Sequence, residues 1–453
     1  LNPGENRQRK LPWKLGLAMV CLALSVLLWV NGLVESLGRP SVGNDLMRRQ
    51  LELAALAEPQ VPPSLRPLLI GENPQAALLQ ELDRQATASD QLLRALLQRN
   101  STEPERARPV LEELRNSGDP ISRALATRLL EIAVLPGGQA IPADQLPADP
   151  LLQRLSCQAL GATPSSCANP QAEGRAVLQL AGINLVPALA LLAGVVLIAR
   201  EGWLRWRGKT PPLPPLLGPQ LGVIDVILLI AGGFVLLGAL VTPLLISPLI
   251  SRLLAVLQVG SPLAEGLTVL LLYLGLMAAP LAILRLMLNG EPPQGGWLQY
   301  RWRPPGPPLA QAFKGFLIVL PLVSLTGWLQ QLVWSDPGGS NPLLDLVLRS
   351  DSGWTLFCFA FTAIVLAPLF EETIFRGVLL PVMARKLGPI WGVVLSSAIF
   401  GLAHLSLGEL SPLFVLGLAL GWLRLSSGRL SSCIWMHALW NGLTFSNLVL
   451  LGS

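Results

Sequence analysis

One of the long apolar runs in this 453-residue chain is interrupted by Phe370-Glu371-Glu372-Thr373-Ile374-Phe375-Arg376-Gly377. The flanks, Trp354–Phe370 and Val378–Ala384, carry no charge. The first flank alone is too short to cross a bilayer. A helix continuing through the motif to about Ala384 reaches the roughly 20 residues a span needs. The two carboxylates then lie near mid-membrane, where a charged side chain costs roughly 2.5–3.5 kcal/mol on insertion scales. The default expectation for such residues is a functional site inside the membrane.

Composition agrees with a membrane setting. Hydrophobic residues make up 51% of the chain and charged ones 13%, with a mean hydropathy of +0.53. That is the profile of a polytopic membrane protein, and no nucleic-acid partner is expected. Nine spans are expected, at about 15–34, 178–199, 222–245, 263–288, 313–334, 354–384, 390–407, 411–425 and 430–451. The fold class is all-α, a polytopic transmembrane bundle with an N-terminal extramembrane helical domain between spans 1 and 2.

Arg7, Arg9, Lys10 and Lys14 precede Leu15–Val34. This apolar run is longer than a typical signal-peptide core, so an uncleaved anchor with a cytosolic N-terminus is expected. Arg200, Arg205, Arg207 and Lys209, and later Arg301, Arg303 and Lys314, mark other basic loops. The loops near 246–262 and 335–352 carry only Arg252 and Arg349 as basic residues. By the positive-inside rule the basic loops are cytosolic and residues 35–176 lie on the outer, periplasmic or luminal, side.

The expected organisation is therefore an anchor over 1–34, an outer helical domain over 35–176, additional spans over 177–310 and a membrane core over 311–453. Residues 35–176 contain no lysine. Pro74–Arg99, Glu103–Asn116 and Pro120–Val134 read as amphipathic helices, the last capped by Asp119 or Ser117. Cys157 and Cys167 form a disulfide if this domain faces an oxidising compartment; two buried thiols are the equal alternative. The proline-rich stretches at 211–218 and 304–308 read as stiff spacers.

Arg385, Lys386, Gly388 and Pro389 break the motif helix, and an apolar helix from Ile390 to about Leu407 carries Phe400 and His404. Ser406 and Gly408-Glu409 read as a loop. Glu371 precedes the break by about as many residues as His404 follows it. An antiparallel pair rising about 1.5 Å per residue thus sets both at similar depth. The only other histidine, His437, shares the last helix with Asn441.

Glu372/Arg376 and His437/Asn441 are i,i+4 pairs, each on one helix face. The bland readings are a structural ion pair for the first and a polar packing contact for a lone histidine. Two glutamates, two histidines, an arginine and an asparagine on three helices favour a site instead. Glu371 and His404 suit water activation, and His437 and Asn441 suit an oxyanion. Two Glu and two His could equally supply four zinc ligands. There is no HExxH, so metal-free chemistry without a cofactor is preferred and zinc is the alternative. No GxSxG nucleophile elbow occurs.

In this order and on separate apolar helices, Glu371-Glu372-x-x-x-Arg376, Phe400-x-x-x-His404 and His437-x-x-x-Asn441 resemble the three motifs of the type II CAAX prenyl endopeptidase and bacteriocin-processing (CPBP) family of intramembrane proteases. The resemblance covers about residues 311–450. It implies that Glu371 and His404 activate water and that His437 and Asn441 stabilise the oxyanion. Glu372 and Arg376 would support the site, and Phe400 would pack it. The expected activity is endopeptidase cleavage of a membrane-associated protein or peptide, of which a prenylated CAAX type is one form. The bilayer is the expected surrounding partner, and the outer domain's partner is left unnamed. The rival readings are a non-proteolytic scaffold, immunity or chaperone protein of the same family, and a proton-coupled transporter. No inverted repeat supports the transporter.

Overall fold

A computed structural model describes residues 11–39, 42–82, 87–101, 104–132, 148–334, 338–339 and 341–452. Of the described residues 80% are helical, and none forms a strand. Two compact units divide it, residues 43–188 and residues 1–42 with 189–453.

Helix α1 (Leu11–Ser36) opens the larger unit. The smaller unit follows with α2 (Val42–Ala57), α3 (Pro74–Leu82), α4 (Ala88–Arg99), α5 (Ala107–Leu114), α6 (Pro120–Ile132), α7 (Pro150–Ala159) and the first part of α8 (Pro170–Trp206). Leucine and alanine at 3–4 spacing give each helix one apolar face. Leu78, Leu82, Leu92, Leu96, Leu111 and Leu114 meet in a common core. Of the two caps expected for α6, Asp119 is the one used: its Oδ2 accepts from the Ser122 amide at 2.9 Å. The Ser122 hydroxyl and amide hold the Asp119 carboxyl below its usual range. Arg154 is buried and donates to the carbonyls of Ala55 and Leu56, the open end of α2. Its counter-ion is Glu173 at 3.6 Å. Cys157 and Cys167 are joined in a disulfide.

The larger unit resumes in α8 and continues with α9 (Val223–Val256), α10 (Leu263–Met287), α11 (Gly306–Val333), α12 (Pro342–Arg349), α13 (Gly353–Leu387), α14 (Pro389–Ala403), α15 (Leu407–Ser427) and α16 (Leu430–Gly452). Among the described residues, seven helices, α1, α8–α11, α13 and α15, are long and apolar enough to cross a membrane. Length and apolarity thus pick out seven of the nine expected spans. Helix α14 has only 15 residues, and α16 spends part of its length on Ser431, Ser432, His437 and Asn441. Two boundaries also move. Helix α11 starts at Gly306, so Pro307 and Pro308 of the 304–308 stretch lie in its first turn and Pro305 caps it. Helix α15 starts at Leu407, because Ser406 caps it by accepting from the Glu409 amide at 3.2 Å. Gly408 and Glu409 are therefore helix rather than loop.

Helix α13 runs unbroken through the charged motif, as its sequence requires. It widens into π-turns at Phe361–Leu366 and Thr373–Leu379. Pro368 and Pro381 follow these turns; each lacks an N–H and crowds the preceding turn, which a wider turn relieves. Phe370, Ile374, Phe375, Val378 and Val382 pack on Val226 and Leu229 of α9, Met277 of α10 and Phe400 of α14. Small residues let neighbours approach. A Cβ at Gly392 would sit 2.8 Å from the Ala384 nitrogen, and one at Gly417 2.9 Å from Ser397 Cβ.

In the smaller unit, burial pushes the Glu52 carboxyl up to about 7, against the opposing pull of Arg48 at 3.2 Å. The folded pKa is raised, so the stabilisation is complete below the unfolded value of 4.5 and is lost as pH rises through 7. Glu52→Gln removes this penalty. Chemical unfolding of this unit, followed by trypsin susceptibility, should show the variant about 1–3 kcal/mol more stable than wild type at pH 8 and indistinguishable at pH 4.5.

Candidate active site

Three elements bring the motif residues together: α13 at the entry to its second wide turn, the end of α14 and the first half of α16. Glu372 and Arg376 are both inaccessible to solvent. Arg376 Nη1 donates to Glu372 Oε1 at 2.9 Å, and its Nη2 donates to the Gly417 carbonyl of α15 at 3.1 Å. Its guanidinium carbon lies 4.3 Å from the centre of the Phe400 ring. The same Glu372 Oε1 is 2.9 Å from His437 Nδ1. A charge this deep persists only when paired and hydrogen-bonded. Here one carboxylate satisfies two cationic or N–H partners from two helices. Phe400 is fully buried, and its ring meets Phe375, His404 and His437 edge-on at 5.4, 4.8 and 5.7 Å.

Glu371, one residue earlier, faces the cavity. Its Oε2 stands 3.9 Å from His404 Nε2 and 3.9 Å from His437 Nε2, and has no hydrogen-bond partner among the described residues. The far nitrogens assign the tautomers. His437 Nδ1 faces the Glu372 carboxylate, and His404 Nδ1 faces the Phe400 carbonyl at 2.8 Å. Both partners accept, so both Nδ1 atoms carry the proton. In the neutral rings both Nε2 lone pairs then point at the Glu371 carboxylate. Three acceptors converging on one spot favour a guest that brings hydrogens, and water is such a guest.

Asn441 Nδ2 donates to the Ala363 carbonyl, at the first wide turn of α13, at 2.8 Å. This leaves its second amide hydrogen. Glu371, His404, His437 and Asn441 all line one cavity of about 610 Å³, whose other walls include Leu343, Val347, Ala367, Leu413, Trp440 and Leu448.

Several contributors to the site have no signal in the motif pattern. The Tyr273 hydroxyl of α10 donates to Glu371 Oε1 at 3.4 Å. Tyr300 shares a hydrogen bond of 2.6 Å with Thr373. The turn after His404 is held from α1: Leu405 has φ +50°, Arg39 donates to its carbonyl, and Ser36 Oγ accepts from the Leu407 amide at 3.3 Å. A left-handed leucine persists only where neighbours over-determine it. Here that strain sits next to His404.

Two imidazole nitrogens and a carboxylate oxygen are atom types that zinc binds. Ligands about 2.0–2.2 Å from a tetrahedral ion, however, stand roughly 3.4 Å apart, against 3.9 Å for each of the two Glu371–histidine pairs here. Among the described residues no three His, Cys, Asp or Glu side chains form a metal-holding group. As placed, the Glu371–histidine pairs stand wider apart than tetrahedral zinc ligands do.

A family model described as "Type II CAAX prenyl endopeptidase Rce1-like" matches residues 353–443. The match starts at the first residue of α13 and ends just past Asn441. A second, "Domain of unknown function (DUF8675)", matches residues 43–178. Searches of curated proteins and of solved structures return no match.

Removing one partner from the buried pair should be costly. Arg376→Met leaves Glu372 with His437 but without its cation and should destabilise the larger unit by about 3–5 kcal/mol. The double variant Arg376→Met/Glu372→Gln should recover most of that loss. Heat-induced aggregation of the detergent-solubilised protein measures both; equal loss in the two variants would contradict the pairing account.

Proposed function

We propose, from the premise that residues 353–443 form a domain of the CPBP family of intramembrane proteases, that this protein hydrolyses a peptide bond of a membrane-associated polypeptide with water activated by Glu371. The observation that carries the reading is the convergence of both histidine Nε2 atoms on the unpartnered Glu371 Oε2 inside an apolar cavity.

The proposed reaction runs on the residues present. The Glu371 carboxylate takes a proton from water while the water oxygen attacks the scissile carbonyl. His404, held by the Phe400 carbonyl, accepts a hydrogen bond from the same water and keeps it oriented. Negative charge then develops on the carbonyl oxygen. The free amide hydrogen of Asn441 donates to it, and His437 does so when its Nε2 is protonated. Glu372 accepts from His437 Nδ1 and from Arg376, which holds the imidazole in this orientation. Collapse of the tetrahedral intermediate breaks the C–N bond, and the proton held by Glu371 passes to the departing amine. Burial in the bilayer strengthens each of these charge interactions relative to water.

The test is comparative membrane proteomics of cells making the wild type or Glu371→Ala. Intact polypeptides that the wild type cleaves should accumulate in the variant, with the variant inserted at normal level. Unchanged cleavage in Glu371→Ala would overturn the assignment. With a substrate in hand, Asn441→Ala should lower kcat by about 10²–10³ with little change in KM, as loss of one oxyanion donor does. Chelators should leave the wild-type rate unchanged; loss of activity restored by zinc would replace this mechanism with a metal-dependent one.

A further inference from the structure

The larger unit has two chemically different ends, and the cavity reaches only one of them. At one end, hydrogen bonds and ring contacts tie basic residues of several helices together. Arg205 of α8 stacks on Trp422 at 5.0 Å. Lys314 pairs with Glu201 at 2.7 Å. Arg424 donates to the Leu217 carbonyl, Arg385 to those of Pro219 and Leu221, and Arg429 to that of Arg301. Lys386, Arg207, Lys209 and Arg303 flank these positions in sequence.

At the other end, a separate set of bonds ties together Ser36 and Leu407, Arg39 and Leu405, Gln330 and Gly408, Asn341 and Glu409, and Thr355 and Pro262. The charges there are mostly acidic: Glu35, Glu265, Asp345, Asp351 and Glu409, against Arg39, Arg252 and Arg349. Of those three cations, Arg39 is spent on the Leu405 carbonyl and Arg349 on Asp345 at 2.7 Å. Short basic loops stay in the cytosol. The second end is then non-cytosolic.

The cavity runs from Glu371 and His437 to Asn341, Pro342, Leu343 and Glu409, which all belong to the second end; no residue of the basic loops lines it. Asn341 and Pro342 at its rim are exposed. An independent observation agrees. The chain leaving α1 at this end carries the Cys157–Cys167 disulfide, a bond that persists in oxidising, non-cytosolic compartments.

We infer that the catalytic cavity opens on the non-cytosolic face of the membrane. Its substrate is a membrane-anchored polypeptide that presents an apolar segment there, not a prenylated protein terminus in the cytosol. Apolar walls contributed by Leu343, Val347, Leu413, Trp440 and Leu448 suit such a segment. The substrate half of this inference rests on the proteolytic reading; the orientation half does not.

Cysteine labelling with a membrane-impermeant maleimide separates the two. In the full chain with Cys21, Cys358 and Cys433 replaced by Ala or Ser, Asn341→Cys should label at least tenfold faster than Arg303→Cys in intact cells or spheroplasts. Arg303→Cys should catch up once the membrane is permeabilised. The same pattern should hold in the Glu371→Ala background. The opposite pattern would overturn the orientation whatever the activity. For the substrate, polypeptides that accumulate in Glu371→Ala cells should carry their uncut segment on the non-cytosolic side. Accumulation only of cytosolic prenylated termini would overturn that assignment. Expected labelling with no accumulation at all would overturn it together with the proteolytic reading.

Discussion

Glu372 and Arg376 face each other at 2.9 Å with no solvent access to either, and the rest of the site depends on that contact. Neither ion is tolerable alone in an apolar bundle, where an unpaired charge is strongly destabilising. Arg376 is further held by the Gly417 carbonyl and the Phe400 ring, which links α13 to α15 and α14. Glu372 spends its second contact on His437 Nδ1, which links α13 to α16. One ion pair thus sets the tautomer and direction of one histidine and locks three helices around another carboxylate. Glu371 can remain unpartnered at Oε2 because its neighbour makes the stabilising contacts.

This division of labour explains why two adjacent carboxylates occur. Consecutive residues of a helix project in directions about 100° apart at 3.6 residues per turn. One carboxylate faces the helix-packing interior and the other faces the cavity. The wide turn of α13 at Thr373–Leu379 begins right after this pair. Such turns occur often at functional sites. The short α14, ending at Ala403, sets His404 at its C-terminus, where Nε2 faces Glu371.

Much of this is legible in the chain. Charges inside an apolar run announce themselves, and i,i+4 spacing puts Arg376 on Glu372 without further information. The long α13 follows from simple length. The Ser406-Leu407-Gly408-Glu409 start of α15 is also legible as a Ser-x-x-Glu cap, although a glycine beside polar residues suggests a loop. Other features have no local signal. Leucine is not a residue type that marks a left-handed turn, so Leu405 becomes intelligible only with Arg39 and Ser36, which are 366 and 371 residues away from their partners. Tyr273 meets Glu371 across a separation of 98 residues. Helix α14, at 15 residues, is long enough to bring His404 beside the Glu371 carboxylate.

The central claim is that Glu371 acts as a base on water and does not itself attack the substrate. Single-turnover cleavage in H₂¹⁸O, followed by mass spectrometry of product and enzyme, tests this directly. The account predicts one ¹⁸O in the newly formed peptide carboxylate of the first turnover and none in the Glu371 side chain. Label in the Glu371 carboxyl, or an acyl adduct trapped on it, would contradict the account.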